Sequence, residues 1–195
     1  MSALPVLGIL LAAGRGRRFD PLGQRNKLLQ ILPGPGGEPV VVASARKLLA
    51  VVSSVIAVVP PDDGGVGALL SSIGCDVTVC AEADTGMGAS LVHAIRASLP
   101  REPASWLVAL GDMPHVAPAT LRLLSDALAA GAPIAAPVLD GRRGNPVGFG
   151  RLHLDALLAL RGDQGARRLL QSFPVTEIAV ADPGIFRDID TPADI

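Results

Sequence analysis

Apolar segments of strand length recur along the chain, and most are unbroken rather than alternating: Val6–Ala12, Val55–Val59, Val77–Cys80, Trp106–Leu110, Ile134–Val138 and Glu177–Val180. A strand with one face in water alternates apolar and polar side chains, so unbroken runs call for strands covered on both faces, as in a parallel sheet. Segments of helical period lie between them, at Val40–Val51, Val66–Ser72, Ala89–Leu99, Pro118–Ala130, Leu152–Leu160 and Ala166–Gln171. Strand and helix alternate, which predicts an α/β fold: an open, mostly parallel twisted sheet with helices on both faces. Pro33–Pro39 and Pro60–Gly67 read as surface loops.

With 195 residues, 49% of them hydrophobic, the chain suits one well-buried domain spanning 1–195 and leaves little room for a second. A formal net charge of −1 gives no broad basic surface, so nucleic acid is not an expected partner. Met1–Ala13 is apolar, but it lacks a basic leader and falls short of the roughly 18 residues of a membrane helix. It reads as a core strand of a cytoplasmic protein with no membrane partner. Cys75 and Cys80 match no metal knuckle and are expected as buried, reduced thiols.

Ligands of open α/β sheets bind beyond the carboxyl ends of the strands, which directs attention to Gly14–Lys27, Glu82–Ser90, Gly111–Pro114 and Gly141–Gly148. The first of these follows the string Leu11-Ala12-Ala13-Gly14-Arg15-Gly16-Arg17-Arg18-Phe19 and ends at Asn26-Lys27. Small residues let backbone N–H groups approach phosphate oxygens, while Arg and Lys supply the charge that a triphosphate needs. A dinucleotide fingerprint would want a third glycine where Phe19 stands, and no Gly-Lys-Ser/Thr makes a P-loop. Asp112, after the run Trp106–Leu110, is a hard oxygen ligand suited to Mg²⁺. Asp188-Ile189-Asp190-Thr191-Pro192 is a second acidic cluster, in which Thr191, Pro192 and Asp194 also read as a helix N-cap with Pro at the first position. His93, His115 and His153 lie outside these strings and form no metal triad; they read as surface or packing residues.

The full string resembles the signature of the nucleotidyltransferase superfamily with a GT-A-like Rossmann core, Leu-Ala-x-Gly-x-Gly-x-Arg-Met/Phe followed by Lys. Gly14, Gly16, Arg18 and Lys27 stand at its fixed places, and Arg15 and Arg17 at variable ones. The resemblance implies that Arg18 grips the β- and γ-phosphates and that Lys27 approaches the α-phosphate. It also implies a metal-binding Asp immediately before the Thr191-Pro192 pair, which selects Asp190 over Asp188 as the partner of Asp112 on Mg²⁺, with Mn²⁺ as the alternative ion.

Within the superfamily the chain is most similar to the MobA/MocA-like enzymes of the molybdenum cofactor, especially the molybdopterin cytidylyltransferases. Leu11-Ala12-Ala13-Gly14, Thr85-Gly86-Met87-Gly88-Ala89-Ser90-Leu91, Arg143-Gly144-Asn145-Pro146-Val147 and Gly162-Asp163-Gln164-Gly165-Ala166-Arg167 carry the likeness. Ala13 replaces a glycine usual in the guanylyltransferases, and its methyl group narrows the base pocket toward CTP. Leu11 to Gly14, Gly16, Arg18, Lys27, Gly86, Ser90 and Asp112 are the implied nucleotide contacts, with Thr85 as a plain helix cap the competing reading of the Gly86–Ser90 turn. Asn145, Pro146 and Asp163 are the implied acceptor contacts; Asn145 stands where the family usually has His. The implied reaction is Mg²⁺-dependent transfer of CMP from CTP to molybdopterin, with release of pyrophosphate and a molybdenum hydroxylase as the downstream partner. The rivals are a GTP-using guanylyltransferase, a sugar-1-phosphate nucleotidyltransferase, a non-catalytic pterin-cofactor carrier and, more remotely, a dehydrogenase-type nucleotide binder.

Overall fold

The computed structural model describes residues 5–14, 16, 18–162 and 165–195. Their strands form one eight-stranded sheet: β1 (Val6–Leu11), β2 (Val55–Val59), β3 (Asp76–Val79), β4 (Ser105–Leu110), β5 (Ile134–Leu139), β6 (Arg142–Arg143), β7 (Val147–Gly150) and β8 (Thr176–Ala179). The pairs β1·β2, β1·β4, β2·β3 and β5·β8 are parallel, while β7 runs antiparallel to both β4 and β5. The sheet is thus the expected open, mostly parallel one, interrupted by a single reversed ribbon.

That ribbon corrects the expected loop at Gly141–Gly148. From Val138↔Arg143 to Ala135↔Gly148, β5 moves back three residues (138 − 135) while its partner advances five (148 − 143). β6 and β7 are therefore two halves of one bulged strand, with Gly144, Asn145 and Pro146 at the bulge and the peptide before Pro146 cis. A strand that short, with glycine at two of its four β7 positions, carries no periodic signal above its turn-like composition.

Helices α1 (Val40–Leu49), α2 (Val66–Ser72) and α4 (Pro118–Ala129) cover one face, and α3 (Met87–Ser98), α5 (Leu154–Leu158) and α6 (Arg167–Ser172) cover the other. Successive strand residues serve the two cores in turn. Leu10, Ala57, Leu107 and Ala109 pack with α1, α2 and α4; Leu7, Ile9, Ile56, Trp106 and Val108 pack with α3 and α5. Such two-sided burial explains the unbroken apolar runs of β1, β2 and β4, whereas β3 and β8, expected to be covered on both faces, lie at sheet edges and are largely exposed. Among the described residues no helix is long and apolar enough to cross a membrane. Cys75 and Cys80 are free and buried, and desolvation, followed by the charge of Asp76, pushes the Cys75 thiol up to about 11.

The sheet order β3-β2-β1-β4 places the switch point between β1, whose chain continues outward to β2, and β4, which returns to its other side. The loops after these two strands are held together by contacts remote in sequence. Gly111 N–H donates to Leu11 C=O at 2.9 Å. From α1, the Ser44 hydroxyl donates to Gly111 C=O at 3.0 Å, and the Lys47 ammonium donates to the carbonyls of Pro114 and Val116. Desolvation lowers the Lys47 pKa, opposed by the charges of Asp182 and Glu38.

Asp182 is the reciprocal clamp. Its buried carboxylate accepts from Ala117 N–H at 2.8 Å, the Thr120 hydroxyl at 2.7 Å and Gly184 N–H at 2.9 Å, docking the C-terminal segment onto the start of α4. Ile189 N–H then donates to Asp112 C=O at 2.8 Å, with the Ile189 side chain in the core. Asp188 and Asp190, its neighbours on either side, are thereby set beside Asp112.

Removing the Asp182 carboxylate leaves three donors without their acceptor, so Asp182→Ala is expected to cost on the order of 3 kcal/mol of unfolding free energy, measured by denaturant titration. A loss within error would show that water replaces the clamp. His115 and His153 are held below the ordinary value of 6.5, chiefly by desolvation, and in His115 further by Arg187 and Lys47. The unfolded chain therefore binds more protons than the folded one below that value, and stability should fall as the pH is lowered through about 6.5. His153, tilted against the Phe173 ring with 4.6 Å between centroids, is the cleaner probe: His153→Phe should flatten this slope, and an unchanged slope would contradict the assignment.

Candidate active site

The loop after β1 folds on a glycine turn. Gly16 has φ +58°, a left-handed conformation that side-chain-bearing residues rarely adopt, and its carbonyl accepts from the N–H groups of Phe19 and Asp20. Phe19 is buried and anchors the turn. Desolvation would raise the Asp20 carboxyl, but N–H donors from Arg25, Leu22 and Gln24 outweigh it and hold the pKa low. Asn26 then caps a short 3-10 turn, its side chain accepting from Leu28 N–H at 3.0 Å and donating to Asp63 C=O at 3.2 Å. Lys27, the first residue of that turn, is aimed inward.

A compact charged cluster results. The Lys27 ammonium lies 2.6 Å from Asp112 Oδ2 and 3.4 Å from Asp190 Oδ1, and Arg18 Nη1 lies 2.7 Å from Asp190 Oδ2. The Lys27 side chain is only 8% exposed and those of Asp112 and Asp190 22%, whereas Arg18 is 77% exposed. Asp190 is fixed from behind by Asp194, whose carboxylate accepts from the backbone N–H of Asp190 and Thr191 and from the Thr191 hydroxyl. The Thr191-Pro192 cap is thus real, opens a 3-10 turn, and orients Asp190 at the same time. Asp188 is surface-exposed, but partial desolvation and then the charges of Asp190 and Asp112 raise its pKa. Two hard carboxylates that already share one cation are suited to a divalent ion taking its other ligands from phosphate and water. Among the described residues no set of three His, Cys, Asp or Glu converges on a metal position.

Beside the cluster opens a cleft of about 490 Å³ lined by Leu11, Ala13, Gly14, Gly16, Arg18 and Asp112 on one side and Gly86, Met87 and Ser90 on the other. The α3 N-terminus has Gly86 as its cap residue and no side-chain cap; the Thr85 hydroxyl donates instead to Glu82 C=O, so the Thr85 cap is not formed. In the first turn of α3, Ala89 N–H donates to Gly86 C=O at 3.1 Å, and no side chain caps the others. Ser90 is buried in the wall of this cleft.

Not every expected contact lies here. Ala12 faces the opposite core, and its N–H donates to Val58 C=O, so its side chain is structural. A second cleft of about 500 Å³ shares Leu11, Met87 and Leu110 with the first and includes Asn145, Val147, Arg143 and Arg167. Pro146 does not line it; with Asn145 it faces a small space beside Ser44 and Lys47. Asp163 lies outside the described residues, as do Arg15 and Arg17. Sequence reasoning missed Arg143, which donates to Glu177 Oε1 at 2.7 Å and Leu170 C=O at 3.0 Å and ties β6 to β8 and α6. It also missed Arg167, Ser44, Lys47 and Asp182. The quoted Arg143 and Arg167 strings contained the only signal for the first two.

Solved structures show the same arrangement of the chain. The Rv0371c protein of Mycobacterium tuberculosis H37Rv is 32% identical with a TM-score of 0.82, covering 100% of this chain and 96% of that one. Its manganese complex gives 30% identity and a TM-score of 0.77, over 97% and 95% of the two chains. A nucleotidyl transferase of Methanothermobacter is 27% identical with a TM-score of 0.78, over 97% and 94%. The molybdopterin-guanine dinucleotide biosynthesis protein A of Archaeoglobus fulgidus, at 22% identity and a TM-score of 0.69 over 96% and 94%, shares the fold. Among curated proteins none matches significantly. The family model of the MobA-like NTP transferase domain matches residues 8–178, from β1 through β8. With the signature loop, the strand-end aspartate and the open sheet all within that span, the chain belongs to the MobA-like NTP transferase family and is a nucleotidyltransferase.

Proposed function

We propose that this nucleotidyltransferase moves CMP from CTP to the phosphate of a molybdopterin-type acceptor, with Mg²⁺, or Mn²⁺ in its place, and that a molybdenum hydroxylase receives the product. The observation that carries the reading is the convergence of Arg18, Lys27, Asp112 and Asp190 beside a cleft walled by Ala13, Gly86 and Ser90. Asp112 and Asp190 would hold the divalent ion, which supplies positive charge against the phosphates. The relative whose structure is a manganese complex supports an ion of this class.

Arg18, exposed at the cleft, binds the β- and γ-phosphates, and Lys27 neutralises charge at the α-phosphate. The α3 amides and Ser90 meet the edge of the base. An acceptor phosphate oxygen forms a bond to the α-phosphorus as the bond to the bridging β-phosphate oxygen breaks, and pyrophosphate leaves with that electron pair. The attacking phosphate arrives ionised, so positioning and charge suffice without a strong general base. Asn145, together with Arg143 and Arg167 in the adjoining cleft and Asp163 by resemblance, faces the acceptor. The Ala13 methyl group, itself buried in the cleft wall, favours a pyrimidine over a purine.

A pyrophosphate-release panel of CTP, GTP, UTP and ATP against molybdopterin and sugar 1-phosphates tests the assignment: CTP with molybdopterin should turn over fastest, and only with a divalent ion. Turnover confined to a sugar phosphate would replace the acceptor, and none with any pair would leave a cofactor carrier. Asp112→Asn should lower kcat by at least about a hundredfold while the thermal transition stays cooperative. Ala13→Gly should raise kcat/KM for GTP relative to CTP by roughly tenfold; an unchanged ratio would place base selection elsewhere.

A further inference from the structure

Lys27 is satisfied by the very carboxylates that the proposed reaction needs for its metal. Its ammonium is within 2.6 Å of Asp112 Oδ2 and 3.4 Å of Asp190 Oδ1, and no other acceptor holds it among the described residues. Arg18 occupies the second oxygen of Asp190. A divalent ion that took the same carboxylate oxygens would meet the ammonium at a few ångströms, where like charges repel.

We propose that Lys27 is an exchangeable counter-ion: in the ligand-free protein its ammonium fills the place between Asp112 and Asp190, and it must leave that place before a divalent ion can bind there. This rests on reading those two aspartates as metal ligands. The destination is set by the local geometry. The Lys27 stem passes along Gly16, where an added Cβ would stand 3.2 Å from Lys27 Cγ and 3.3 Å from Cδ. Rotation about the terminal side-chain bonds would carry the ammonium from the carboxylates toward the Gly16 turn with the backbone in place. A triphosphate on that turn gives the ammonium a new anionic partner as the carboxylates gain the metal. The exchange makes metal and nucleotide binding mutually supportive beyond the affinity of the ion for the triphosphate itself, and it keeps the free protein from holding a divalent ion tightly.

The chain has only two lysines, Lys27 and Lys47, so two side-chain ammonium resonances report on the exchange directly. In wild-type protein isotope-labelled at lysine, titration with Mg²⁺ alone should shift the Lys27 ammonium signal and leave that of Lys47, bound to backbone carbonyls, unmoved; Lys47→Arg makes the assignment. Paramagnetic titration with Mn²⁺ gives affinities: Lys27→Met should bind Mn²⁺ at least about tenfold more tightly than wild type, and Arg18→Met, which removes an equal but exposed charge, much less so. A Lys27 signal unmoved at saturating Mg²⁺, or a Lys27→Met affinity equal to or below that of wild type, would overturn the exchange. Asp112→Asn separates the two levels: if it leaves Mn²⁺ affinity unchanged, the metal assignment fails and not the lysine's mobility.

Discussion

Burying a lysine ammonium at the carboxyl edge of a sheet is costly unless negative groups meet it, and here Asp112 and Asp190 do so. These groups come from segments far apart in sequence: the loop after β1, the loop after β4 and the C-terminal tail. Their meeting therefore requires that three separate pieces of backbone be registered to within a hydrogen-bond length. Much of the molecule on the α1 and α4 side serves that registration. Ser44 and Lys47 fix the carbonyls of Gly111, Pro114 and Val116, Asp182 docks the tail, and Ile189 N–H closes the contact to Asp112 C=O.

The opposite side of the cleft is built on another economy. The N-terminus of α3 is left without a side-chain cap, with Gly86 at the turn and Ser90 in the cleft wall. Unsatisfied donors at a helix start are tolerable where a ligand or water reaches them, and this end opens into the cleft. The two walls thus differ in kind: one of charged side chains, the other of backbone at a helix start. A nucleotide has the same polarity, with a flexible polyanion at one end and a flat, directional hydrogen-bonding edge at the other.

What could be read from the sequence was what is local in the chain. The unbroken runs that became β1, β2 and β4 disclosed two-sided burial, and the turn from Leu11 to Lys27 disclosed its charge and its glycines within a short stretch. Asp112 and Asp190 stood out because a strand end and a Thr-Pro cap mark them. The reversed ribbon of β6 and β7 was hidden, since Val147–Gly150 is a strand only because β4 and β5 flank it. Ala12 was read as a cleft contact because the string that contains it is contiguous, while strand alternation turns it to the other face. Lys47 and Asp182 were silent for a related reason: a lone helical lysine and an Asp-Pro-Gly turn look like solvated surface until the tertiary fold sets one against carbonyls and buries the other against N–H groups.

The central claim is that one point between Asp112 and Asp190 binds a cation, held by Lys27 in the free protein and by a divalent ion in the working complex. Anomalous diffraction from crystals carrying Mn²⁺ and a non-hydrolysable CTP analogue tests it most directly. The account expects a manganese peak in contact with both carboxylates and the triphosphate, with the Lys27 ammonium turned to the α-phosphate. Nucleotide seated in the cleft with the lysine still between the two aspartates and manganese bound elsewhere would contradict it.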